Sequence, residues 1–130
     1  MPTAARLRVV RDRLLKLHKT LLDWERQQYE RAYGQVRSSG DMLQLVLGHE
    51  QFAWLRPYSG LIVRIDEWLV SDQPSRQDAD AFWQEADRLT TPGEASEDAS
   101  RARYRVAIDN SPDSAMAHAS VRDALGDTGY

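Results

Sequence analysis

TAARLRVVRDRLLKLHKTLLDWERQQYERAYG, residues 3–34, is the stretch that decides the fold. At about 100° per residue, Leu7, Val10, Leu14, Leu17, Leu21, Leu22, Gln28 and Tyr29 fall within one arc, the pattern of a helix with one face in a core. The helix is expected to start near Thr3 or Ala4 and to run to about Tyr33, where Gly34 supplies a stop. Inside the apolar arc lies a polar column, Arg11, His18 and Glu25, at seven-residue spacing. Charged groups seldom enter such a face without partners, so the column reads as a buried hydrogen-bond network, a ligand site or a registry device. The residue types alone leave all three open.

Downstream, Ser38 to Asp41 reads as a turn and N-cap for a short helix through Leu43, Val46 and Leu47, although five apolar-rich residues also fit a strand. Gly48 interrupts it, and a further turn through Phe52 and Leu55 leads to Pro57, which is tolerated in the first turn of a helix. That helix, about Pro57 to Val70, should bury Tyr58, Leu61, Ile62, Ile65, Trp68 and Leu69, with Val63 and Val70 widening the arc. Ser59 and Asp66, again seven apart, sit inside the widened arc and mirror the first column. Ser75 followed by Asp78 resembles a capping box before Ala79, Phe82, Trp83, Ala86 and Leu89. Thr90 to Ser96 reads as a linker, Ala99 to Ile108 as a weaker helix, and Ser111-Pro112-Asp113 as the start of a last one through Val121 and Leu125. The expected architecture is all-α: a single-domain bundle of five or six helices over residues 1–126, with residues 127–130 as a frayed tail.

Composition bounds the function. Seventeen Lys and Arg against 20 Asp and Glu leave a net charge of -3, with no global attraction to nucleic acid or to anionic membranes. The basic start of the chain, Arg6 to Lys19, is spread around its helix and reads as a solvated face, one that the acidic stretch from Asp78 to Asp98 is placed to attract. Cysteine is absent, which excludes disulfides, thiolate metal sites and a cysteine nucleophile and suits a reducing compartment. The first twenty residues are broken by Arg and Lys, so no secretory signal is read there. The most apolar segment, Phe52 to Val70, carries Arg56, Pro57, Arg64, Asp66 and Glu67 and reads as core rather than membrane span.

Chemistry-bearing sets are few. His18, Glu25, Asp66 and His118 form the best metal candidate, but His18 and Glu25 lie about 10.5 Å apart in helical rise, against a three-residue spacing in dinuclear carboxylate bundles. A satisfied His and carboxylate network is preferred, and no cofactor is expected. Ser59, His18 and Asp66 contain hydrolase residue types without a nucleophile elbow or an oxyanion motif. Trp24, Trp54, Trp68 and Trp83 read as packing, unless Trp24 or Trp54 lies outside the core beside Tyr29 or Tyr33 as an aromatic binding patch.

LHKTLLDWERQQYE (residues 17–30) together with FAWLRPYSGLIVRIDEWL (residues 52–69) resembles uncharacterised small helical proteins of bacteria. The resemblance covers these two stretches; it implies a bacterial, cytoplasmic helical protein and brings no activity or ligand. The function expected is a non-enzymatic protein-interaction or regulatory module, with a metal- or small-ligand-binding bundle next and a hydrolase after it. A thirty-residue helix spans about 45 Å, more than a compact domain of this size covers. Leu7, Val10, Leu14 and Leu17 are therefore expected at a homodimer or partner interface.

Overall fold

A computed structural model describes residues 2–93 and 98–126. Six α-helices and one 3-10 segment make up the described chain: α1 (Ala4–Tyr33), α2 (Ser39–Gly48), the 3-10 segment Glu50–Leu55, α3 (Arg56–Leu69), α4 (Arg76–Leu89), α5 (Ala99–Asn110) and α6 (Pro112–Ala124). The architecture is the expected helical bundle with a long first helix, and Leu43 to Leu47 is helix, not strand. The expected tail, residues 127–130, and Glu94 to Ser96 of the expected linker lie outside the described residues.

Local chemistry sets the boundaries. The hydroxyls of Thr3, Ser38, Ser75 and Ser111 each accept a backbone N–H from the first turn of the helix that follows, and the Asp98 carboxylate does the same for α5. Such caps satisfy amides that have no partner within the helix, each worth about 1 kcal/mol. Pro57 and Pro112 open α3 and α6 where a missing N–H does no harm. Gly34 ends α1 at φ +100°, a conformation that disfavours any side chain.

One core runs through the bundle. From α1 it takes Val10, Leu14, Leu17, Leu21 and Trp24; from the 3-10 segment and α3 it takes Phe52, Leu55, Tyr58, Leu61 and Ile65. Ala86 and Leu89 of α4, Tyr104 and Ala107 of α5, and Ala117 and Val121 of α6 complete it. The stacked rings of Tyr58 and Tyr104, 5.3 Å apart, join α3 to α5. The Tyr58 hydroxyl donates to the Leu89 carbonyl at 2.8 Å, which closes the end of α4 onto the same pair.

The surplus apolar face expected at Leu7 to Leu17 is covered. α6 and α3 pack along α1, and the 3-10 segment, α4 and α5 also contact it. Leu7, Val10, Leu14 and Leu17 are therefore buried inside the chain and unavailable as an interface. The inward face of α6 carries Ser114, Ala117 and Val121, short side chains that allow a close approach to α1. The apolar arc of α3 is also narrower than expected, because Val63 and Val70 are exposed. Among the described residues, no ion pair joins the acidic stretch to the basic start: Asp87 takes Arg122, while Glu85 and Asp98 share Arg88.

α2 differs from the other helices in burying none of its residues. Met42, Leu45 and Val46 touch the core from outside, and Leu43 and Leu47 are 57% and 68% exposed. It is held at its far end by the Arg56 guanidinium, which donates to the Leu47 carbonyl at 2.9 Å.

Candidate functional site

The two polar columns meet at one rung only. Arg11 of α1 donates to Asp66 of α3 through Nε at 2.6 Å and Nη2 at 3.3 Å, a two-point pair open to solvent, with 43% of the Asp66 side chain exposed. Ser59 turns back on its own helix, donating to the Arg56 carbonyl at 3.2 Å. His18 is half-buried, and loss of solvent holds its imidazole below the ordinary value. No hydrogen bond joins Ser59, His18 and Asp66, so the hydrolase set is not assembled.

Glu25, the third member of the first column, faces elsewhere. It is fully buried, and its carboxylate is gripped by Arg103 of α5, Nε to Oε1 at 3.0 Å and Nη2 to Oε2 at 2.8 Å. Trp54 Nε1–H donates to Oε1 at 2.8 Å, and Gln51 Nε2–H reaches Oε2 at 3.4 Å. The Arg103 guanidinium also lies over the Trp24 ring, 4.6 Å from its centroid. Glu25 thus ties α1, the 3-10 segment and α5 together with its acceptor sites occupied, a structural junction rather than an open ligand position. Trp24 and Trp54 are buried parts of that junction.

The metal set is likewise dispersed. Glu25 holds Arg103, Asp66 holds Arg11, and His118 Nδ1 lies 2.6 Å from the Tyr104 hydroxyl. Burial pushes the Tyr104 hydroxyl well up, so it stays protonated and donates wherever Nδ1 is the bare nitrogen. Among the described residues, no three His, Asp or Glu side chains converge as a metal ion requires.

The open site lies at the far end of α1. Tyr29 and Tyr33, one helical turn apart, place ring centroids 4.9 Å from each other. His49, in the break between α2 and the 3-10 segment, closes a triangle with centroids 5.3 Å from Tyr29 and 5.9 Å from Tyr33. Its Nδ1 accepts the Gln51 N–H at 3.1 Å, which fixes the ring's orientation. Phe52 supports the triangle from the core side, 5.9 Å from Tyr29. Tyr33 itself is 67% exposed.

Two concavities meet on this triangle. One, of about 430 Å³, runs between the end of α1 and α2, past Gly34, Val36, Asp41 and Leu45. The other, of about 650 Å³, runs along the 3-10 segment past Glu50 and Trp54 to Ala99 and Ser100 at the start of α5. Tyr33 and His49 belong to both. The sequence placed Tyr29 and Tyr33 on α1 but gave no sign of His49, whose placement depends on where α2 stops. Comparison of the chain with protein-family models, curated protein sequences and solved structures returns no match.

Proposed function

We propose that the chain is a non-catalytic protein-interaction module, working in the bacterial cytoplasm, that receives a segment of a partner protein in the groove across Tyr29, Tyr33 and His49. The observation that carries this reading is the exposure of Tyr33 at the junction of two open concavities. An aromatic side chain offers a large contact area at little entropic cost, and tyrosine is enriched where partners bind. Leu45 of the neighbouring α2 adds apolar lining to the first concavity. The lack of cysteine suits a reducing compartment, and among the described residues no helix is long and apolar enough to cross a membrane. Homodimerisation through Leu7, Val10, Leu14 and Leu17 is ruled out by their burial, so any self-association must use other faces.

The test is selection of a random peptide library on the intact protein, with counter-selection on Tyr33→Ala. Enriched peptides should bind the wild type and lose about tenfold or more on the variant, as for a central aromatic anchor. Sedimentation at micromolar concentration, run alongside, identifies a second copy as the occupant if it finds a dimer that Tyr33→Ala dissociates. Failure to enrich any peptide, or equal binding to both proteins, would remove the groove as an interaction surface.

A further inference from the structure

The groove's electrostatics narrow what it accepts. No Lys or Arg is found among the described residues lining either concavity, whereas Asp41 lines one and Glu50 the other. α1 also ends here, at Tyr33 and Gly34, and a helix of thirty residues presents a partial negative charge of about half an electron at its carboxyl end. α2 runs along the groove from Asp41 in its first turn to Gly48 at its close, so its two end charges offset one another there and α1 is the contributor. Basic side chains lie nearby without lining the groove: Arg31 stands in the last turn of α1 and offsets part of its end charge, Arg37 lines a separate concavity with Arg26, and Arg26 is paired with Glu30. Aromatic faces, two carboxylates and the carboxyl end of α1 together favour a cation.

The geometry selects among cations. With centroids 4.9, 5.3 and 5.9 Å apart, the three rings pack against one another and enclose no central space. They form a platform, not a cage around a spherical ammonium group. A flat guanidinium can lie on the exposed face of Tyr33 and turn its N–H groups toward a carboxylate or a helix-end carbonyl. Within the chain, Arg103 lies over Trp24 at 4.6 Å while pairing with Glu25, and Arg6 lies over Trp83 at 4.7 Å.

We infer that the groove recognises an arginine side chain carried by a segment of a partner protein, the guanidinium lying on the Tyr33 ring within the field of Asp41 and Glu50. This inference rests on the interaction reading above and adds the chemistry of the occupant. It is tested by following the Tyr29 and Tyr33 ring resonances of the intact protein during titration with the peptide Gly-Ser-Leu-Arg-Leu-Ser-Gly. Parallel titrations use the same peptide with citrulline, lysine or glutamate in place of arginine. The arginine peptide should bind about tenfold more tightly than the citrulline peptide, should exceed the lysine peptide, and should weaken with rising salt. Tyr33→Phe should retain binding, while Tyr33→Ala and the Asp41→Asn, Glu50→Gln double variant should each lose about tenfold.

Equal binding of the citrulline or glutamate peptide would overturn the inference while leaving the groove as an interaction surface. Lysine equal to or better than arginine would overturn the choice of a flat cation. Argininamide binding as tightly as the peptide would overturn the peptide as occupant in favour of a small guanidinium ligand. Silence from every probe would also overturn the inference, while the library selection judges the groove itself separately.

Discussion

Glu25 and Tyr33 stand eight residues apart on α1, about 12 Å of helical rise, yet one is fully buried and the other is 67% exposed. At Glu25 the 3-10 segment and α5 both reach the helix, and the carboxylate receives Trp54, Gln51 and Arg103. At Tyr33 the neighbouring helix is α2, which buries no residue of its own, and the rings beside Tyr33 among the described residues are Tyr29 and His49. A polar group enclosed by matched donors holds a fold together. An apolar ring left half open by a weakly seated helix is a place where a partner can add contact area, since elements that open or move come from the less stable parts of a structure. The same helix thus serves both ends.

The largest effect that sharpens this comparison is expected from Glu25→Ala. Removing the carboxylate leaves Arg103 and the Trp54 N–H without their acceptor, which should destabilise the fold by about 3 kcal/mol, on the order of 10 °C in melting temperature. Arg103 keeps 36% of its side chain exposed and regains water, which holds the loss near the low end for a broken buried pair. Asp66→Ala, at the solvent-open rung with Arg11, should lose far less. Equal melting temperatures for these two variants, measured side by side, would contradict the ranking of the rungs.

A smaller effect is expected from pH, through His18. Burial disfavours the charged imidazole, so the unfolded chain takes up its proton at a higher pH than the folded one. The associated stability is complete above the ordinary imidazole value of about 6.5 and declines as pH falls below it toward the depressed folded value. Wild-type protein should therefore lose more stability than His18→Leu between about pH 8 and about pH 5.5. Identical losses in denaturant titrations would remove His18 as the source.

The smallest effect belongs to the open end. Tyr33→Ala should change global stability by no more than about 0.5 kcal/mol, because the ring is mostly solvated. Amide exchange should be fast in α2 and slow around Glu25, and protection of α2 equal to that of the Glu25 region would erase the contrast between the two regions.

The local half of this architecture was legible in the sequence. Thr3, Ser38, Ser75 and Ser111 mark helix starts through short-range hydrogen bonds, and Gly34 and the two prolines mark ends and beginnings. The pair Arg11 and Asp66 was foreshadowed by the spacing of the two columns. Glu25 was recognisable as a buried carboxylate, but its partner Arg103 lies 78 residues away and carries no local signal. The cover over Leu7 to Leu17 was missed because the inward face of α6 is Ser114, Ala117 and Val121, too short in side chain to advertise a strong apolar stripe. The sequence offered Tyr33 as part of an aromatic patch with an exposed Trp24 or Trp54; both indoles are buried, and Tyr33 is exposed beside Tyr29 and His49 instead.

The packing of α1 against α6 also carries a consequence for synthesis. The leucines of α1 leave the ribosome before the other helices of the bundle, while Ala117 and Val121, which help to cover them, follow the whole of α2 to α5. At about 5–20 residues per second, a nascent chain spends several seconds with that apolar stripe lacking its last neighbour. Its protection in that interval falls to α3 or to a chaperone, and a ribosome stalled before Pro112 would hold a chain whose longest helix still wants a cover.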